Sequence, residues 1–176
     1  MKRFSLSYEH LIGMRFAINV AIAAAIVWQT LDAIGDTNPI WAIASMIAAS
    51  EPEFTEAHRL FRSRIINVMV GCAIGLLFIS TAGASAWVMS LALAAAVLVS
   101  SYVVKIKTMW RQAPITAAIV IASGITSQSF AHGMEQGLHK VAEVLFGCLV
   151  GLIVSWLMSK VWLIKPPPTS SSGLDA

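Results

Sequence analysis

Charge is scarce in this chain: 12% of its 176 residues are Asp, Glu, Lys or Arg, against 57% apolar. With a mean hydropathy of +0.77, it lies well outside the composition of a soluble globular domain. Cysteine is scarce too. Cys72 and Cys148 each follow a glycine inside an apolar run, which argues against a disulfide framework and for small buried packing residues. No set of His, Cys, Asp and Glu has metal-ligand spacing and no nucleophile motif is present, so neither a metal, a cofactor nor a catalytic residue is expected. His10, His58, His132 and His139 are dispersed near the ends of apolar runs and read as ordinary interfacial residues. The net charge of +3 builds no basic face, because the Lys and Arg are scattered between apolar runs, and this excludes a nucleic-acid binder.

What is present is a series of long apolar runs separated by short charged segments, the pattern of a polytopic helical bundle. Candidate helices fall at 13–34, 39–50, 64–81, 85–104, 113–130 and 138–163, where about 20 residues are needed to cross the hydrocarbon core. Residues 16–27 have the look of a signal-peptide core but follow a long segment containing Glu9, so they read as a retained first span. The run 39–50 is short, and charge decides whether it crosses. With six crossings and the N-terminus inside, the cytoplasmic face holds Lys2, Arg3, Arg15, Arg59, Arg62, Arg64, Lys105, Lys107, Arg111, Lys160 and Lys165, leaving Lys140 outside. If the second segment turned back, only Lys2, Arg3, Arg15 and Lys140 would remain inside. The positive-inside rule therefore selects six crossings with both termini cytoplasmic.

The phrase RIINVMVGCAIGLLF from Arg64 returns as KVAEVLFGCLVGLIV from Lys140, 76 positions later. Three spans separate the copies, so the halves are expected to be inverted. Phe54 and Phe130 share the same offset, and Pro39-Ile40-x-Ala42 recurs as Pro114-Ile115-x-Ala117. The expected fold is thus an all-α integral membrane protein of six transmembrane helices in two inverted three-helix repeats. Residues 1–12 form a cytoplasmic segment, 13–81 the first repeat, 85–163 the second, and 166–176 a disordered cytoplasmic tail. Inverted repeats with paired short, Pro-marked segments point to a transport path at their interface. Pro39 and Pro114 suit first helical turns, each opening a helix whose positive dipole end faces an anion.

Several residues carry two readings. Gly71, Gly75, Gly147 and Gly151 permit close helix packing or pore lining. Ser50-Glu51-Pro52-Glu53 fits a capping box opening an interfacial turn that runs into span three. Its basic residues are topology anchors or, as Arg62 and Arg64 with Lys105 and Arg111, an electropositive vestibule. Glu143 and Lys140 are i, i+3 neighbours that neutralise one another or form a coupling site within the span. Asn19, Ser45, Asn67, Thr116 and Ser123 are uncharged polar groups within spans, placed to bond neighbouring helices or coordinate a passing ligand.

Pro39-Ile40-Trp41-Ala42, a short apolar run, Glu51-Pro52, and Arg64-x-x-Asn67 leading into Gly71-x-x-x-Gly75 resemble the membrane half of the fusaric-acid-resistance-like proteins. That superfamily includes the aromatic acid exporters and is similar to the plant aluminium-activated malate channels. The resemblance covers residues 30–163 and implies a six-helix module with inverted halves, assembled in pairs and moving organic anions. The chain departs from the family pattern in carrying neither a large cytoplasmic domain nor a second membrane half, so a minimal module working as a homodimer is expected. It also has Asn67 where the family commonly has glycine.

The expected function is a bacterial inner-membrane transporter or channel exporting aromatic or other carboxylates. Arg62, Arg64 and Arg111 attract the anion, the helix openings at Pro39 and Pro114 with nearby Thr116 receive it, and Trp41 stacks on an aromatic substrate. The alternative is a non-transporting subunit that stabilises a larger efflux assembly.

Overall fold

The computed structural model describes residues 8–36, 38–51, 53–104, 112–127 and 130–162, and among them every regular element is helical. The order is α1 (Tyr8–Ala33), α2 (Ile40–Ala49), α3 (Phe54–Ala82), α4 (Ala86–Val99, continued by a π-helical turn Ser100–Val104), α5 (Gln112–Thr126) and α6 (Phe130–Val161). Four stretches, His10–Ala33, Phe54–Ala82, Ala86–Val103 and Ala131–Val161, are long and apolar enough to cross a membrane. The two shorter helices, α2 and α5, have 10 and 15 residues. At about 1.5 Å per residue they cover roughly 15 and 22 Å of a core about 30 Å thick. The segments 1–7, 105–111 and 163–176, and with them Lys105, Lys107, Arg111 and the tail 166–176, lie outside the described residues.

Two boundaries differ from the hydropathy reading. Helix α3 begins at Phe54 and α6 at Phe130, each before its apolar run starts, because charge ends an apolar run without ending a helix. The exposed Glu56–Arg59 pair at 2.6 Å is an i, i+3 contact of the kind that supports a polar first turn. The expected capping box is not formed. Glu53 is the N-cap of α3 and makes no side-chain cap bond. Ser50 instead closes α2, its N–H donating to the Ile47 carbonyl and its hydroxyl to the Met46 carbonyl at 2.8 Å.

Helix α2 packs on α6, and α3 packs on α5. The glycines set these approaches. A Cβ on Gly71 would collide with the Ala113 carbonyl oxygen of α5, and one on Gly147 with the Ala42 carbonyl oxygen of α2. One turn further on, Gly75 meets Ala117 and Val120 while Gly151 meets Met46 and Ser50. So each of the long helices α3 and α6 receives one short helix, α5 and α2 respectively. The burial pattern follows the 76-residue offset: Ala57, Asn67, Val68, Gly71, Cys72, Gly75 and Ile79 of α3 are buried, as are Gly133, Glu143, Val144, Gly147, Cys148, Gly151 and Ser155 of α6. Both cysteines are free and buried.

Helix α1 lies along α6 on a stripe of one residue per turn, Arg15, Asn19, Ala23, Val27 and Leu31, all buried. The spacing of four keeps them on one face, while Ile18, Ile22 and Ile26 point outward. Near its start Arg15 Nη1 donates to the Trp162 carbonyl at 2.8 Å, and Asn19 Nδ2 donates to Ser155 Oγ at 2.9 Å. The beginning of α1 and the end of α6 therefore share one end of the bundle. A second polar clamp joins α4 to α3, where Ser100 Oγ donates to Asn67 Oδ1 at 3.3 Å. Such bonds between spans satisfy polar groups that lipid cannot.

Candidate functional site

Two polar centres lie against α6. The first is built on Arg64. One turn before the buried Asn67–Val68 pair, Arg64 is carried inward by the same face of α3, and its Nη2 donates to Ser45 Oγ of α2 at 3.0 Å. Its guanidinium also lies beside Cys148 of α6, whose thiol donates to the Ser45 carbonyl at 3.7 Å. Arg64 Nε is buried and has no hydrogen-bond partner. Among the described residues no carboxylate pairs with Arg64. A half-buried guanidinium with a donor left over is an anion-seeking group, because its charge is desolvated but uncompensated.

The second centre begins with the end of α1. Gly35 takes a positive φ of 86°, and the N–H groups of Gly35 and Asp36 donate to the carbonyls of Asp32 and Leu31 at 2.9 and 3.0 Å. This Schellman closure needs a residue free of Cβ at the left-handed position, and it ends the helix at a fixed angle. Asp36 is thereby aimed at α6. Its Oδ1 accepts from the Asn38 N–H at 3.0 Å and from Lys140 Nζ at 3.3 Å. Burial opposes charge on Asp36, but the Asn38 N–H and the Lys140 ammonium outweigh it and hold its pKa below the ordinary aspartate value.

Lys140 also reaches Glu143 Oε1 at 2.6 Å, and His139 Nδ1 lies 3.0 Å from the same oxygen. Glu143 is 2% exposed, and its other oxygen, Oε2, has no partner. It lines a recess of about 210 Å³ between α1 and α6, walled by Thr30, Leu31, Ile34, His139, Ala142 and Phe146.

The expected site residues are thus distributed. Arg62 is exposed while Arg64 turns inward, so the two do not form one vestibule lining; Arg111 lies outside the described residues. Pro39 is fully buried at the N-cap of α2, with the protein's own Asp36 three residues before it. Trp41 is 42% exposed on the outer side of α2 and is not brought to Arg64. Pro114 stands in the first turn of α5, and Thr116 is buried against Gly71. Sequence reasoning missed Asp36 and His139. The i, i+4 spacing of His139 and Glu143 was a legible signal; the pairing of Asp36 with Lys140, 104 residues apart, was not. No group of three His, Cys, Asp or Glu side chains among the described residues is placed to hold a metal ion.

The family of fusaric acid resistance protein-like sequences matches residues 20–154, which takes in both polar centres and all four packing glycines. The chain belongs to that family, one of membrane transporters and not of enzymes. It is accordingly a multi-pass membrane protein with a transport or resistance-related role. No curated protein and no solved structure matches it significantly.

Proposed function

We propose that the protein moves small organic anions, aromatic or other carboxylates, out of the cytoplasm across a bacterial inner membrane. The observation that carries this reading is Arg64: a cation held inside the bundle by α2 and α3, beside α6, with an unpartnered donor and, among the described residues, no carboxylate paired to it. A passing carboxylate supplies the missing acceptor, and bidentate guanidinium–carboxylate pairing gives it a defined seat.

The transport architecture in this reading is six crossings in two inverted halves, with both termini cytoplasmic. Three observations support it. The short helices α2 and α5 occupy corresponding places, each packed on the third helix of the other half. Burial repeats at the 76-residue offset. The start of α1 meets the end of α6, as an even number of crossings requires. Two copies of this module form the working unit, on the family pattern of paired membrane halves.

The test is flux. Purified protein in liposomes loaded with a panel of carboxylates, benzoate among them, is expected to release at least one of them faster than empty liposomes do. Protein that is folded and correctly inserted but releases none, and that co-purifies with a larger efflux complex, would instead be a stabilising subunit.

A further inference from the structure

We infer that Glu143 is a proton-binding residue, and that the recess between α1 and α6 is where the transporter exchanges a proton against its anion. This rests on the transport reading above but on different residues. Asp36 and Glu143 both reach for one ammonium, that of Lys140, at 3.3 and 2.6 Å. With the His139 imidazole neutral, two carboxylates and one ammonium leave one negative charge unbalanced. Each carboxylate has one buried oxygen without a partner, Asp36 Oδ2 and Glu143 Oε2, but Asp36 also accepts from the Asn38 N–H, whereas Glu143, 2% exposed, faces a recess whose other walls are mostly apolar. An uncompensated carboxylate is costly in such surroundings, and intramembrane carboxylates characteristically mark proton relays.

The missing positive charge is a proton and not a metal cation. A hard cation needs several oxygen ligands, whereas Leu31, Ile34, Ala142 and Phe146 offer none, the Thr30 hydroxyl adds a single oxygen that donates to the Ile26 carbonyl, and the Lys140 ammonium beside Glu143 repels a second cation. One carboxylate oxygen is enough for a proton. A route is present as well: the His139 side chain is 62% exposed at the bundle surface and its Nδ1 lies 3.0 Å from Glu143 Oε1, so a single imidazole links the surface of the bundle to the buried carboxyl, the arrangement of a proton shuttle.

The groups facing Glu143 are His139 and Lys140 from α6 and Asp36 from the turn after α1. Helix α1 adds Thr30, Leu31 and Ile34 to the recess, none of them titratable. When Glu143 takes the proton, its charge is cancelled and Lys140, still an ammonium, is left to Asp36 alone. With His139 neutral in both states, the cluster passes from one net negative charge to none. Because Asp36 sits on the turn that leads into α2, and α2 packs on α6 through Gly147, protonation bears on the helix that also carries Ser45, the partner of Arg64. That link couples the proton to the anion centre.

The test does not require transport. Infrared difference spectra of the purified protein, recorded over a pH series, are expected to show a protonated-carboxyl C=O band that appears as pH falls. The band should be lost in Glu143→Gln, and in Glu143→Asp it should persist at a shifted frequency, which guards against a merely misfolded Gln variant. Replacing His139 with Ala should slow proton exchange into the liposome lumen several-fold, and added imidazole should restore it. A band unchanged in folded Glu143→Gln, or carboxylate release driven by a sodium gradient and insensitive to a pH gradient, overturns the proton site. Absence of carboxylate release from wild-type liposomes, with the band intact, instead counts against the transport reading and leaves proton binding by Glu143 standing.

Discussion

Arg64 and Lys140 occupy the same place in a repeated phrase, yet the protein uses them differently. Among the described residues Lys140 is given two carboxylates and Arg64 none. That asymmetry defines the anion-seeking centre, and removing the guanidinium tests it. Arg64→Gln is expected to lower carboxylate release roughly tenfold or more, equivalent to at least about 1.4 kcal/mol of lost interaction. Arg62→Gln, on the exposed side of α3, should change release only through weak, salt-screened attraction. Equal losses in the two variants would place the anion at the surface and not at Arg64.

Asp36 makes a pH-dependent contribution at the same scale. Its folded pKa is depressed by the Asn38 N–H and Lys140 against the opposing effect of burial. The stability it lends is therefore present above the ordinary aspartate value of about 3.9 and is lost as pH falls through the lower folded value. Asp36→Asn should cost about 1.5–3 kcal/mol at neutral pH, the range for hydrogen bonds to a charged group. The gap between wild type and variant should close in acid, as read by unfolding in detergent at several pH values.

At the scale of the helix, the four glycines fix which helices can touch. Because a Cβ at Gly71 or Gly147 meets backbone carbonyl oxygen, which cannot rotate away, Ala at either position should destabilise by about 1–3 kcal/mol. Gly13, with open space around it, is the control: Gly13→Ala should be neutral or slightly stabilising, since Ala is the better helix former. Comparable melting temperatures for all three variants would show that the helices do not approach as closely as described.

These same elements explain what was legible beforehand. Apolar runs separated by charge, the two Pro-marked short helices and the duplicated Gly-x-x-x-Gly are local patterns, and each indicates its helix directly. Hydropathy alone places the starts of α3 and α6 late because it follows lipid exposure, whereas a helix continues through Glu56 and Arg59 as long as its polar turn is supported; for α3 the Ser50–Glu53 pattern already indicates a turn ahead of the apolar run, and for α6 no such pattern does. The spacing of Ser50 to Glu53 predicts a cap. The hydroxyl bonds backward to Met46 instead, a choice made by the end of α2 that no spacing rule contains. The candidate site was partly legible for the same reason. Lys140 and Glu143 lie a turn apart on one helix, but Asp36 joins them through packing of α1 along α6, and Ser45 meets Arg64 through the approach of α2, α3 and α6.

For the whole molecule, the proposed topology places the turns at Asp36–Asn38 and Gly83–Ser85 on one side of the membrane and the first turn of α3, near Glu56, on the other. Single cysteines at Asn38, Ala84 and Glu56, in a background lacking Cys72 and Cys148, should react with an impermeant thiol reagent in two groups. Asn38 and Ala84 should label from outside intact cells, and Glu56 only after the cytoplasmic face is opened. Labelling of Asn38 and Glu56 from the same side would remove the crossing by α2 and the inversion of the halves with it.

Transport of an organic anion is the claim on which the rest converges, and it has a direct electrical signature. Liposomes containing the purified protein, adsorbed to a solid-supported membrane and exposed to a step in benzoate concentration, should give a transient current with the sign of moving negative charge. That current should fall roughly tenfold or more in Arg64→Gln, whether the anion moves alone or against a proton. The same absence of current from wild-type and empty liposomes, for benzoate and for other carboxylates, with the protein shown to be folded and inserted, would contradict the account.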